Sequence, residues 1–506
     1  MSRVVVGLRA VRAIADNFGM TNTNDATNIE RRMRELGEEL DGLEADAVDL
    51  EVIERRVQEL ANAWGRVQMA RAMKRADTDA PEVDIDSLRW GNRRSHPGEY
   101  QTVFGPVTME RSVYQQSGRG RVAIPMDLRL GIVEGMYTAR MGRIATRAIA
   151  LMPEEEAAQF LAEVGTATLS NSTLGRLPRA IAARYELNRP VIAAAVRARD
   201  VIPDEAVTVQ AGLDGVMVPQ DGEHAQPRGR QTKSPEPPRH EQRYGPVGSE
   251  GPHAEDRTMG RSWHEGAVGT LAFFDAAGER LRTIYLARMP EPHKATLVGE
   301  LEEELTSVLR ERPALNVIFA SDGAEPQWSA LDAIESRLPT NRTGHTMKLV
   351  DAFHVAEYVQ QAANAVEGVG TGDAKILAAT WRETIKEKKS GAQSVLRSMR
   401  ARLPAVLATT ARTELKSAIT YIDNQHALGR MEYLEAQKRK YPIGTGVTEA
   451  AAKTIVGVRM KRAGARFSQH GGQTVMLFRA ALLSHRFDAL HEELHATYTK
   501  RVRPAA

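Results

Sequence analysis

Glu205–Pro219 reads EAVTVQAGLDGVMVP. A β-branched, nearly continuous apolar run of this length is the pattern of a buried strand. Within its last eight residues, GLDGVMVP, stands one carboxylate, Asp214. A desolvated carboxylate is costly unless a cation or strong donors pair with it, so Asp214 asks for a partner.

The chain after this strand has a regular grammar. A polar stretch rich in Pro, Gly, Arg and His, 220–262, reads as a mobile loop. EGAVGTLAFFD, the turn AAGER and LRTIYLARM form a hairpin. KATLVGELEEELTSVLRER is an amphipathic helix, ALNVIFASDG a strand ending in Asp322, and HTMKLVDAFHV a strand ending in Asp351. Helical pattern then runs from His354 to about Arg439, and GTGVTEAAAKTIVGVRM opens a last helix bearing Glu449. Strand, hairpin, helix, strand, helix, strand, helix predicts a mixed α/β sheet covered by helices on both faces.

The chain before Pro203 is mainly helical. Ile29, Met33, Leu36, Leu40 and Leu43, then Ile53, Val57, Leu60, Trp64 and Val67, recur at alternating three- and four-residue steps on either side of Gly42 and EADAVD. That seam makes either a helical hairpin closed on itself or an arm for dimerisation. DTDAPEVDIDS reads as a linker, and YQTVFGPVTMERSVYQ as a β-hairpin. Glu155–Glu186 reads as two helices about a glycine-containing turn, either a helix-turn-helix or an ordinary helical pair. The expected domains are a helical hairpin over 1–78, a β-hairpin plus helical DNA-binding region over 79–200, catalytic segments over 201–360 and 441–506, and a helical insertion over 361–440.

Composition narrows the chemistry. With 506 residues, 42% hydrophobic and 26% charged, the chain has room for a large core. No apolar run approaches the ~20 residues that span a bilayer, and the amino-terminal MSRVVVGLRAVRAIADNFG lacks a signal-peptide plan, so no membrane partner and a cytoplasmic location are expected. Cysteine is absent, which removes disulfides and thiolate zinc sites. Any metal must be held by oxygen or imidazole.

Asp214, Asp322 and Glu449 can therefore converge where strand ends gather ligands in such sheets. Three carboxylates are hard donors suited to Mg2+ or Mn2+, and two such ions about 4 Å apart are suited to phosphodiester chemistry. Asp-Gly pairs are also common turn formers, so each aspartate taken alone reads first as a turn residue, and the catalytic reading comes from the set of three and the strand order. Asp351 and His354 are additional candidates. Asp351 could ligate metal, contact DNA or cap the next helix.

LDGVMVP, IFASDGAEPQW, VDAFHVAEYVQQAANAV and GTGVTEAAAKTIVGVRMKRAGARFSQHGGQTVMLFRA together resemble the DDE transposases of bacterial insertion sequences, of the ISKra-type branch. The likeness runs from about Tyr100 to Phe487, and TVFGPVTMERSVY supports it more weakly. It implies a ribonuclease H-like catalytic domain in which Asp214, Asp322 and Glu449 are the catalytic, metal-holding acids. It also implies end binding, metal-dependent cleavage and strand transfer into target DNA. Two other readings remain: a ribonuclease H-like nuclease or resolvase that does not join, and a domesticated, non-catalytic DNA-binding protein.

The net charge is only +3, but its distribution is uneven. Ala450–Phe487 contains no Asp or Glu. Lys453, Arg459, Lys461, Arg462 and Arg466 lie there, beside Glu449, and are expected to hold DNA phosphates. Trp328 is a candidate for stacking on a base and equally a core residue. The expected partners are double-stranded DNA, as transposon ends and target, and further copies of the chain as a homodimer or larger oligomer.

Overall fold

The computed structural model describes residues 26–42, 49–116, 121–165, 169–221, 261–462 and 465–505. It divides into two units, 1–184 with 491–506 and 185–490.

In the first unit, helices α1 (Ala26–Asp41) and α2 (Leu50–Ala76) form the expected hairpin. Asp49 caps α2, its carboxylate accepting from Val52 N at 3.2 Å. The seam closes within the chain: Ile29 packs with Ala63 and Val67, and the Arg56 guanidinium grips both Glu39 oxygens at 2.6 and 2.7 Å. Met33 and Val57 stay exposed, so only part of the heptad pattern is used. The far end of α2 turns to another task, burying Met73 against Tyr100, Val107, Met126 and Ile132.

Tyr100 and Val107 belong to a five-stranded antiparallel sheet, in the order β10-β1-β2-β3-β4. Its strands are β1 (Val83–Ile85), β2 (Leu88–Thr102), β3 (Gly105–Gln115), β4 (Val122–Ala123) and β10 (Val502–Pro504). The hairpin is as expected, turning at Gly105 with φ of 101°. The linker is not. Asp77–Ser87 contains β1, Asp77 accepts the Ser112 amide at 3.2 Å, and Val83 and Ile85 are buried. The alternation in VDI was too short to read as a strand, and its second partner lies at the far end of the sequence. Helices α3 (Pro125–Leu130), α4 (Ala139–Leu151), α5 (Glu154–Glu163) and α6 (Asn171–Arg197) follow. Residues 166–168, the turn of the suggested helix-turn-helix, lie outside the described residues.

The second unit holds a mixed sheet, in the order β7-β6-β5-β8-β9. Its strands are β5 (Thr208–Asp221), β6 (Arg261–Phe274), β7 (Arg280–Arg288), β8 (Asn316–Ser321) and β9 (Thr346–Val350). β5 and β6 pair antiparallel along their full length, so Gln220, Asp221, Arg261 and Ser262, expected in the loop, are strand. The rest of that expected mobile loop, 222–260, lies outside the described residues. β5, β8 and β9 run parallel, connected by α7 (Ala295–Glu311) and α8 (Glu325–Ser336).

The helical segment after β9 comprises α9 (Ala352–Glu367), α10 (Gly372–Glu387), α11 (Gly391–Arg402), α12 (Thr409–Ala427) and α13 (Tyr433–Lys438). It shares one apolar core with the sheet, in which Trp381, Leu396 and Ile422 join Val317, Phe319 and Leu349. Two polar bonds secure the join: the Tyr433 hydroxyl donates to Val350 O at 2.8 Å, and Val350 N to Arg430 O at 2.9 Å. The chain then forms α14 (Gly446–Ala451), a π-helical stretch Ala452–Gly457, α15 (Val458–Met460), α16 (Gln469–Leu483) and α17 (Phe487–Tyr498). Among the described residues no helix is long and apolar enough to cross a membrane.

The carboxyl-terminal strand gives the first unit an unusual dependence. β10 buries Val502 beside β1, Lys500 N donates to Leu128 O at 2.8 Å, and Arg129 donates to Val502 O at 3.2 Å. Deleting residues from Lys500 onward removes a buried valine and exposes the β1 edge. The expected loss is about 2–3 kcal/mol in the first unit, read as an earlier transition in thermal unfolding.

Candidate active site

The site forms from one strand level. β5 and β8 are parallel neighbours with Gly212 opposite Ala320, and two residues further along each chain stand Asp214 and Asp322. Ser321 ties the pair of strands by donating to Leu213 O at 3.1 Å. Asp322 lies just beyond β8, where its Oδ1 accepts from Ala324 N at 3.0 Å and so turns the chain into α8. Its backbone carbonyl receives the Tyr421 hydroxyl at 2.9 Å. Gly323 has φ of 102°, and a Cβ there would lie 2.6 Å from that hydroxyl, so glycine is required by both backbone and space.

Glu449 is delivered by the segment Gly444–Glu449, which is bonded to three strands. Gln210 of β5 donates to Gly444 O at 2.9 Å. Thr445 donates to Asp351 Oδ2 at 2.6 Å, at the end of β9. Thr448 shares a 2.7 Å hydroxyl bond with Thr270 of β6. All of this is possible because position 212 is glycine: a Cβ would sit 2.1 Å from Thr448 Oγ1. α14 is thereby seated on the face of β5 that carries Asp214, since residues 212 and 214 share a face.

The electrostatics fit that placement. Asp214 is pushed up to about 6, first by burial and then by the facing Asp322 carboxylate; the Gly215 amide and Lys294 oppose the rise, and Glu449 adds to it. Glu449 itself is more than half exposed and pairs with Lys453 at 2.5 Å. Among the described residues no group of three or more His, Cys, Asp or Glu side chains stands close enough to hold a metal ion. The fold thus brings Asp214 and Asp322 together and sets Glu449 within their electrostatic reach, with its carboxylate turned to Lys453.

The remaining candidates separate. Asp351 is buried and acts as a cap: Oδ1 accepts from Phe353 N at 2.9 Å, and Oδ2 holds Thr445. It ties the Glu449 segment to the end of β9. His354 pairs with Glu357 at 3.4 Å and meets the rings of Tyr358 and Tyr421 edge-on. Trp328 is a core residue, fully buried with the Arg430 guanidinium 4.0 Å above its ring, and is closed to a base. Arg459 is also buried, over the Phe467 ring. Lys461, Arg462 and Arg466 are exposed. Phe467 bridges to Gln220 near the end of β5, six residues beyond Asp214, which itself stands mid-strand.

Sequence reading missed the polar residues that assemble the site. Gln210, Thr270, Thr445 and Thr448 are all buried. A buried polar side chain must find a partner, so Gln210 and Thr270 inside otherwise apolar strands were the available signal. Lys294 was also missed. It pairs with Glu265 at 3.0 Å, and both it and His293 adopt positive φ, 52° and 55°, at the entry to α7. No family model matches the chain, and no curated protein matches it.

Asp214 makes the metal-free protein pH-sensitive. Its folded pKa, about 6, lies above the ordinary aspartate value near 3.9, so the folded state favours the neutral acid. The contribution is fully favourable below about pH 4 and is lost as pH rises through 6. Asp214→Asn should therefore stabilise the metal-free protein at pH 7 by roughly 2 kcal/mol and by almost nothing at pH 4. Denaturant unfolding at the two pH values measures this; an equal effect at both would remove the desolvated carboxylate.

Proposed function

We propose that the chain is a DNA transposase with a ribonuclease H-like catalytic domain that cuts transposon ends and joins them to target DNA. The supporting observation is the strand order β7-β6-β5-β8-β9 with Asp214 and Asp322 at one level of its parallel strands and the Glu449 helix seated on Gly212. Asp214 and Asp322 come from neighbouring strands, and Glu449 from a helix that lies within their electrostatic reach. The motifs quoted above imply the same three residues.

The donor set fits hard divalent cations. Asp214 and Asp322 repel each other, and a cation between them would remove the cost that raises Asp214. They would hold Mg2+ or Mn2+, with Glu449 joining on release from Lys453. When bound, two such ions would activate the attacking oxygen and stabilise the leaving one. The chain itself supplies position: Ser321 and the Asp322 turn fix one acid, and Asp351, Thr445 and Thr448 fix the segment of another. Lys461, Arg462 and Arg466 offer exposed cations for the DNA backbone. A transposase must act on two ends, so a homodimer or larger assembly in the cytoplasm, on the nucleoid, belongs to the same proposal.

The deciding experiment is a strand-transfer assay with a pre-cut end and Mg2+ or Mn2+. Asp322→Asn and Glu449→Gln should each abolish cleavage and joining and leave end binding within about twofold, because each removes a ligating charge with little change of shape. Near wild-type joining by Asp322→Asn would overturn the assignment. Hydrolysis without joining in the wild type would make the chain a nuclease or resolvase. Binding without either reaction would make it a DNA-binding protein alone.

The basic turn gives a second test. Replacing Lys461 and Arg462 together by alanine should lower the slope of log affinity against log salt by about 0.9 per lost phosphate contact, on ends and random duplex alike. Stability should change by less than about 0.5 kcal/mol, because both side chains are exposed. A loss confined to ends, with the slope unchanged, would mean that these residues read bases.

A further inference from the structure

Phe353 begins α9 two residues after Asp351, and 70% of it is exposed. Leaving a phenyl ring in water forgoes the stabilisation its burial would supply. The ring is nevertheless held in place. Its backbone N–H is fixed by Asp351 at 2.9 Å. A Cβ on Gly444 would lie 3.3 and 3.4 Å from its ring carbons, so the ring lies against the backbone of the segment that delivers Glu449. Lys386 of α10 stands with its ammonium 6.0 Å from the ring centroid.

The adjoining residues fasten this helix end to the carboxylate edge. His354 meets Tyr358 and Tyr421 edge-on, those two rings stack at 3.9 Å, and the Tyr421 hydroxyl donates to the Asp322 carbonyl. An exposed aromatic face, a cation beside it and a rigid connection to the acids are the parts that bind an unpaired nucleotide: a surface for the base and a charge for its phosphate.

We propose that Phe353 is a stacking platform for an unpaired base of the DNA strand engaged at Asp214 and Asp322, with Lys386 taking a neighbouring phosphate. The inference rests on the reading of the chain as a DNA strand transferase. It assigns to Phe353 the stacking role that the buried Trp328 cannot fill.

The test uses the full chain and two probes, a duplex oligonucleotide and the same duplex with a single-stranded overhang carrying 2-aminopurine. The wild type should bind the overhang more tightly than the blunt duplex and quench the 2-aminopurine. Phe353→Ala should weaken overhang binding roughly 5- to 150-fold, the range for one stacked base. It should also abolish quenching and leave blunt-duplex binding unchanged. Phe353→Trp should retain both properties, and Phe353→Leu, which keeps an apolar side chain without a π face, should lose quenching. Lys386→Ala should lower the salt slope on the overhang by about 0.7.

Unchanged overhang binding and quenching in Phe353→Ala, or full quenching in Phe353→Leu, would overturn the stacking assignment while wild-type duplex binding keeps the transposase reading alive. Failure of the wild type to bind either probe would overturn both.

Discussion

The candidate site depends on one missing methyl group. Gly212 lets the Thr448 hydroxyl approach β5 closely enough to reach Thr270 of β6, and a side chain of any size at 212 would occupy the space that Thr448 needs. The rest of the Gly444–Glu449 segment is fixed by bonds of the same kind, from Gln210 and to Asp351. These are neutral or singly charged hydrogen bonds in a buried setting, where breaking one leaves an unpaired polar group and costs more than making it gained. The carboxylates are therefore placed by a polar framework that is itself uncharged apart from Asp351. Their charge is left for other work.

That framework explains how much of the site was legible. Asp214 and Asp322 stand out in the sequence because a lone acid in an apolar strand, or at its end, is conspicuous; Glu449, on a helix, is set beside them by the family resemblance. The order of elements and the mixed character of the sheet followed from the hairpin and the two crossover helices. The capping role of Asp351 could not be told from a ligand's by sequence alone, since the two have the same sequence appearance; its bond to Thr445, nearly a hundred residues away, is not visible there at all. Arg459 shows the opposite failure: its basic stretch looks like surface, yet it is buried over Phe467 through a contact that no local pattern reveals. Trp328, whose sequence reads evenly as a stacking or a core residue, lies in the core, with Arg430 over the ring.

The first unit was harder to read for a related reason. Its short strand β1 is held between β2 and a strand from the end of the chain, Val502–Pro504. Three residues carry too little alternation to distinguish VDI from a linker, and only the distant partner makes them a strand. The α1–α2 seam shows that heptad spacing alone does not identify a dimer arm. Here the apolar positions of α2 are divided between α1 and the sheet, with Val67 facing the former and Met73 the latter.

The acid-free run after Glu449 is likewise two things. Arg479 donates to the carbonyl of Thr454, inside the π-helical stretch, and Arg486 is buried between Asp200 and Glu304. These arginines answer structural needs: one takes a carbonyl in a turn wider than α, where the regular backbone pattern is interrupted, and the other is paid for by two carboxylates from elsewhere in the chain. Lys453, Lys461, Arg462 and Arg466 differ in being exposed. The one-signed composition therefore arises from two separate causes. Of these basic residues, the exposed ones can exchange water and counterions for a phosphate backbone without dismantling the fold, whereas the buried ones cannot.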